Sequence, residues 1–145
     1  MHPEDLARPA WECVHFVSAA GEAAEACAHL AGRPDFTWAV IPAQAWAPED
    51  TDGVLAAKAA DSALLDAVAM ALGFPAYFGR NWDALDECLR DLGGPGGGGV
   101  VLAVEGAAEL WARAPRAAGR LVESWLFAAG EQARDGVALH LLFVL

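Results

Sequence analysis

Phe74-Pro75-Ala76-Tyr77-Phe78-Gly79-Arg80-Asn81-Trp82-Asp83-Ala84-Leu85-Asp86-Glu87-Cys88-Leu89 reads as an aromatic loop that runs straight into an acidic helix. Pro75 disfavours helix at Phe74, and Gly79 frees the backbone for a turn. Asn81 is a good N-cap, because its side-chain oxygen can accept a backbone N–H of the first turn. From there Trp82, Leu85, Cys88, Leu89 and Leu92 fall on one helical face. Asp83, Asp86, Glu87, Arg90 and Asp91 fall on the other. Carboxylates in the first turns sit well against the positive end of the helix dipole. The spacing therefore predicts a rigid anionic ridge over residues 82–92, with Tyr77, Phe78 and Trp82 at its base. Phe78 is expected in the core, and Asp83 and Glu87 in solvent. Cys88 and Leu85 are expected to be buried.

Outward from this stretch, apolar runs alternate with helical patterns. Residues 11–17 read as a strand. Residues 21–30 read as an Ala-rich helix with Gly32 as its C-cap. A second strand over 36–41 ends at Pro42. A loop with Trp46, Pro48, Glu49, Asp50 and Asp52 follows. Asp61 or Ser62 would cap a helix to Leu72, with Leu64, Leu65, Val68, Met70 and Leu72 mostly inward, and Gly73 stops it. Past the ridge, residues 93–99 are almost all glycine and read as a flexible connector. They are not a phosphate-cradling loop, since no G-K-[ST] follows. Residues 100–104 form an uninterrupted apolar strand, as in a parallel sheet buried on both faces. Helical segments cover 107–113 and 117–134, Gly136 breaks the second, and 137–145 is the last strand. The expectation is an α/β sandwich with a small, mainly parallel sheet covered by helices.

The chain has 145 residues, enough for one compact domain with a sizeable core. With 56% hydrophobic residues and six tryptophans it is not a disordered chain. Its formal charge of −11 disfavours direct binding of nucleic acid, whose affinity comes mostly from Lys and Arg on phosphates. It suits a basic protein partner, and equally it suits simple solubility. Cys13, Cys27 and Cys88 cannot all pair internally, and none forms a C-x-x-C pair. His2, His15, His29 and His140 lack metal-ligand spacing, so neither metal nor cofactor is expected. The N-terminus lacks an apolar signal core and no stretch is long enough to span a membrane. The expected location is the cytoplasm.

The run P-x-Y-F-G-x-N-W-D-A-L-x-x-C-L, from Pro75 to Leu89, resembles the signature of the barstar family, bacterial inhibitors of barnase-type ribonucleases. Looser resemblance extends over 36–145, which would be a barstar-like domain. Residues 1–35 would be a strand-helix extension packed on it. The resemblance implies a three-stranded parallel sheet, to which the extension could add a fourth strand. It further implies that loop and acidic helix plug the ribonuclease active site, with carboxylates in place of RNA phosphates. By matching positions, Tyr77, Gly79, Asn81, Trp82, Asp83 and Glu87 would be contact residues, with Glu131 a further acidic one. Asp86 on the same ridge joins this set. The chain departs from the family pattern at three positions: Glu87 stands at an aspartate, Asp86 at a tryptophan and Arg80 at a glutamate. These changes point away from barnase itself, toward another basic ribonuclease or toxin.

Three functions are consistent with this reading. The first is a cytoplasmic immunity protein that occludes the active site of a basic, extracellular-type ribonuclease or related toxin. The second is a module of the same fold with a non-nuclease partner. The third is a small enzyme using Asp83, Glu87 and Glu131 for acid–base chemistry, which would require a concave site. No catalytic motif supports the third, and the chain is read as a non-enzyme.

Overall fold

A computed structural model describes residues 3–46, 54–75, 79–92 and 98–145, the side chains of 19, 20 and 54–57 excepted. A 3-10 turn at Pro3–Ala7 precedes strand β1, Val14–Val17. A π-helical turn, Ala19–Ala23, leads into α1, Ala24–Leu30. Then come β2, Phe36–Ile41, and α2, Val54–Leu72. The acidic helix is α3, Trp82–Arg90. It is followed by β3, Gly99–Glu105, then α4, Ala107–Arg113, α5, Pro115–Ala133, and β4, Ala138–Val144.

The four strands form one parallel sheet in the order β1-β4-β3-β2. β3 and β4 are the central pair, and each pairs its whole length with the other, from Gly99 opposite Ala138 to Glu105 opposite Val144. The apolar runs at 100–104 and 137–145 thus lie side by side and parallel, as expected. Alternation of side chains divides each strand between two cores. Val100, Leu102, Val104, Leu139, Leu141 and Phe143 face a large core built with α2, α3, α4 and α5. Val101, Ala103, Leu142 and Val144 face a smaller one, closed by Leu6, Ala26 and Leu30. β4 is buried at every position, which is why it is apolar throughout except at His140.

The structure departs from expectation at several points. α2 begins at Val54, so Asp61 and Ser62 lie inside it and cap nothing. The Ala-rich residues before them favour helix strongly enough to carry it past both. Met70 is 88% exposed, because it turns away from the stripe of Leu64, Leu65 and Val68 that meets the sheet. Gly32 follows α1 without adopting a left-handed conformation, and Ala31 is the C-cap. Gly73 does end α2: with φ of 67°, it lets the N–H of Phe74 return to the carbonyl of Ala69 at 3.0 Å.

The end of the glycine run is fixed in the sheet rather than free. Gly99 opens β3, and a Cβ there would stand 2.5 Å from the Ala138 carbonyl and 2.6 Å from the Phe36 ring. Gly98 has φ of 88°, and a Cβ there would meet the Asp35 carbonyl at 2.4 Å. Three strands begin so close together at this corner that only glycine fits. Pro48, Glu49, Asp50, Asp52 and residues 93–97 lie outside the described residues.

Candidate functional site

The N-terminal end of α3 is held by Asn81. Its backbone is extended, at φ −138° and ψ 167°, and its Oδ1 accepts the Ala84 N–H at 2.8 Å. Its Nδ2 donates to the Gly79 carbonyl at 3.2 Å, tying loop to helix with the same amide. Arg80, between them, has φ of 52°, a left-handed conformation that costs a residue with a Cβ roughly 1–2 kcal/mol. Its Nε lies 3.1 Å from Asp66 Oδ1 on α2, so the loop is also tethered to that helix. Both side chains are largely exposed, and such a pair adds little to stability.

Leu85 and Leu89 are wholly buried in the large core, and Asp83 and Glu87 are exposed on the opposite side. Neither carboxylate makes an ion pair or hydrogen bond among the described residues. Cys88 is half-buried, not buried as expected. α3 packs chiefly on α5, so only the Leu85–Leu89 stripe is fully enclosed. Burial pushes the Cys88 thiol pKa up, and the charges of Asp91 and Glu87 add to the rise. Asp86 also differs from the expected open ridge. It is half-buried, and its Oδ1 is enclosed with no hydrogen-bond partner among the described residues. It stands one turn beyond Trp82 and beside Leu85, so it borders the buried stripe. Arg90 Nε bonds the backbone carbonyl of Asp86, at 3.2 Å, rather than its carboxylate.

Helix α5 supplies the other wall. Gln132, 5% exposed, turns its Nε2 toward the carbonyls of Leu89 at 3.1 Å and Arg90 at 2.6 Å at the end of α3, and toward that of Leu92 just past it. The Arg90 carbonyl is one that a helix end leaves without an intrahelical partner, whereas that of Leu89 also accepts the Leu92 N–H. Gln132 thereby locks the ridge to the turn of α5 that carries Glu131. Glu131 is half-buried and 4.0 Å from Arg134. Trp82 is half-buried, with the Arg120 guanidinium 5.7 Å over its ring. Phe127 is 56% exposed, with the Arg90 guanidinium 5.8 Å over it.

Of the residues singled out in the sequence, Asn81, Trp82, Asp83, Asp86 and Glu87 fall on α3 or its cap, and Gly79 on the loop before it. Glu131 is joined to them through its neighbour Gln132. Tyr77 and Phe78 lie outside the described residues. Gln132 was missed, although its signal was present: a polar residue continuing the inward series Ala118, Leu121, Trp125, Ala128. Phe127 was also missed, being one aromatic on an otherwise ordinary helix. Arg113 pairs with Glu109 at 3.3 Å and lies 5.9 Å over the Trp46 ring.

Away from the ridge, His140 is fully buried in β4. Its Nε2 lies 2.8 Å from the Arg8 carbonyl, which only accepts, so Nε2 carries the hydrogen. Its Nδ1 then accepts from His15 Nε2 at 3.0 Å. Burial, and then the His140 charge, push the His15 pKa down to about 4. Burial lowers His140 as well. Among the described residues, no group of His, Cys, Asp and Glu is placed to hold a metal ion. Nor is any described helix long and apolar enough to cross a membrane.

The family model for Barstar (barnase inhibitor) matches residues 54–144. That is more than half of the chain, and the chain belongs to the barstar family. The match begins at α2, so β1, α1 and β2 precede it, whereas the looser resemblance in the sequence begins at Phe36. No curated protein matches the chain. Membership supports a barnase-type inhibitor role in general and, with it, a ribonuclease partner.

Proposed function

We propose that this protein inhibits a basic ribonuclease, or a toxin of related chemistry, by covering its active site with the α3 ridge. The observation that carries the reading is the state of Asp83 and Glu87. Both are exposed on a capped helix with no partner among the described residues, in a chain of the barstar family. Carboxylates held free on a rigid support are ready to form short, charge-assisted hydrogen bonds with cationic catalytic groups. Glu131 extends the acidic surface at one end, and Gly79 and Asn81 shape the other. Trp82 and Phe127 add aromatic surface of the kind that anchors interfaces. Tyr77 joins them on the family pattern, and Asp86 contributes through its open edge. Glu87, Asp86 and Arg80, at positions where the family pattern has other residues, weigh against barnase itself as the target. Exposed carboxylates on a helix suit docking, whereas acid–base catalysis needs a recess that perturbs them.

In the same proposal, residues 1–35 form an extension of a barstar-like domain spanning 36–145. The free thiols of Cys13, Cys27 and Cys88 support a reducing, cytoplasmic setting. The test is inhibition of barnase-type ribonucleases, including any encoded beside this chain in its genome, by the parent and by Asp83→Ala, Glu87→Ala and Glu109→Ala. Losing either ridge carboxylate should weaken binding by about 2–5 kcal/mol, because a buried cation of the enzyme is left unpaired. Glu109→Ala on α4 should behave as the parent. If Asp83→Ala and Glu87→Ala inhibit as well as the parent, the ridge is not the binding site.

A further inference from the structure

Arg90 is the single cation of α3 and stands in its last turn. A positive charge suits that end of a helix dipole. The dipole does not explain where the side chain points. Asp86 and Glu87 lie four and three residues before Arg90, the spacings at which helical ion pairs form. Arg90 pairs with neither carboxylate. Its Nε donates to the Asp86 backbone carbonyl at 3.2 Å, and its guanidinium lies 5.8 Å over the Phe127 ring on α5. These two contacts hold the group. Its terminal Nη atoms have no hydrogen-bond or ion-pair partner among the described residues.

The place of this group in the surface is equally defined. Arg90 stands one turn beyond Glu87 on α3, and Phe127 stands one turn before Glu131 on α5. A protein that touches both Glu87 and Glu131 therefore passes over Arg90 and Phe127. Both are exposed, so both lose water when covered. A guanidinium covered without a counter-charge is costly. Against a basic enzyme, an unmatched Arg90 would oppose the contact that the rest of the ridge favours.

We infer that Arg90, held on Phe127, is a specificity-determining residue of the ridge, met by a carboxylate that the target enzyme carries beside its cationic site. This rests on the reading of the ridge as an inhibitory surface. The planar fork of arginine matches a carboxylate through two parallel hydrogen bonds. Phe127 backs the guanidinium with its ring face, so the planar group is set before the enzyme arrives. An enzyme whose rim is wholly cationic is turned away by the same group. Asp83 and Glu87 thus attract basic proteins in general, and Arg90 chooses among them.

The experiment measures inhibition of barnase and other barnase-type ribonucleases by the parent, Asp83→Ala, Arg90→Glu and Arg90→Gln, with circular dichroism as a check on folding. General attraction to a basic enzyme would make Arg90→Glu bind more tightly, since it adds negative charge to the ridge. The inference gives the opposite sign. Against an enzyme that the parent inhibits, Arg90→Glu weakens inhibition by roughly a hundredfold or more, and Arg90→Gln by roughly tenfold. If glutamate in the last turn of α3 loosens the fold, Arg90→Gln decides alone. Where Asp83→Ala weakens inhibition but the Arg90 variants inhibit as well as the parent or better, the ridge stands and this inference is overturned. A parent that inhibits none of these enzymes, or is indifferent to Asp83→Ala, overturns the reading of the ridge and this inference with it.

Discussion

The side-chain amide nitrogen of Gln132 donates to the carbonyl oxygen of Arg90 across 2.6 Å. One side chain of α5 thus serves the open end of α3. Gln132→Leu keeps the volume but strands those carbonyls against an apolar group. It should lower stability by about 1–3 kcal/mol, the cost of buried polar groups left unsatisfied. Urea unfolding of the two proteins measures the difference. A variant as stable as the parent would show that solvent serves these carbonyls instead.

Removing the cap at the other end has a smaller predicted effect. Asn81→Ala should cost about 1 kcal/mol, within the range of roughly 0.5–2 for loss of a side-chain cap. Asn81→Asp should cost less than alanine but more than nothing, since its carboxylate accepts the same N–H at the positive end of the helix dipole yet cannot donate to the Gly79 carbonyl. Thermal melts of both variants provide the comparison.

Acidification should destabilise the fold through the two histidines. His15 is held neutral, its pKa lowered from 6.5 to about 4, and His140 is also lowered. A base with a depressed native pKa binds its proton more readily in the unfolded chain. Its contribution is therefore fully present above about pH 6.5 and is lost progressively as pH falls toward about 4. The midpoint of thermal unfolding should drop between pH 7 and pH 5. His15→Phe should make that drop shallower, because one of the two coupled sites no longer titrates. An equal drop in the variant would assign the effect to other groups.

Cys88 reports on the ridge charge. Its thiol pKa is raised by burial first, then by Asp91 and Glu87. Replacing Glu87 with glutamine removes one of these negative charges and leaves burial in place. Alkylation of native Cys88 near pH 8 should become faster in Glu87→Gln, while remaining slower than in the unfolded chain. An unchanged rate would place Glu87 too far from the thiol to act on it.

Charge should govern how fast the protein finds its target. If the ridge meets a basic enzyme, association should slow steeply with added salt, and dissociation should change far less. Stopped-flow mixing with the enzyme that it inhibits checks this. Equal salt dependence of both rates would argue for an apolar contact instead.

The parts of the fold read correctly from the sequence were those settled by local chemistry. Asn81 had a first turn to cap, and Leu85 and Leu89 lay on a strongly two-faced helix. Residues 100–104 were apolar without interruption and 137–145 apolar but for His140, short runs that suit a strand covered on both sides. The misreadings came where distant parts of the chain decide. Asp61 and Ser62 are good caps, yet the helix already had its start among the alanines before them. Met70 has the composition of a core residue, but helix rotation turns it outward. The half-burial of Asp86 and Cys88 depends on where α5 passes, which no local pattern encodes. Gln132 stood at an inward position, but its partners lie some forty residues away.

The placement of β1 beside β4 sets an order of events in making this protein. His15 and His140 touch, although 125 positions separate them. β1 leaves the ribosome long before β4, the strand it pairs with, exists, and it must wait through the synthesis of everything between. Closing so large a loop is slow, and sheets with such distant partners fold late. The strand with the most exposed aromatic surface is thus the one left longest without its neighbour. During that wait it is a candidate client for chaperones, and overproduction of the chain would strain this stage before any other.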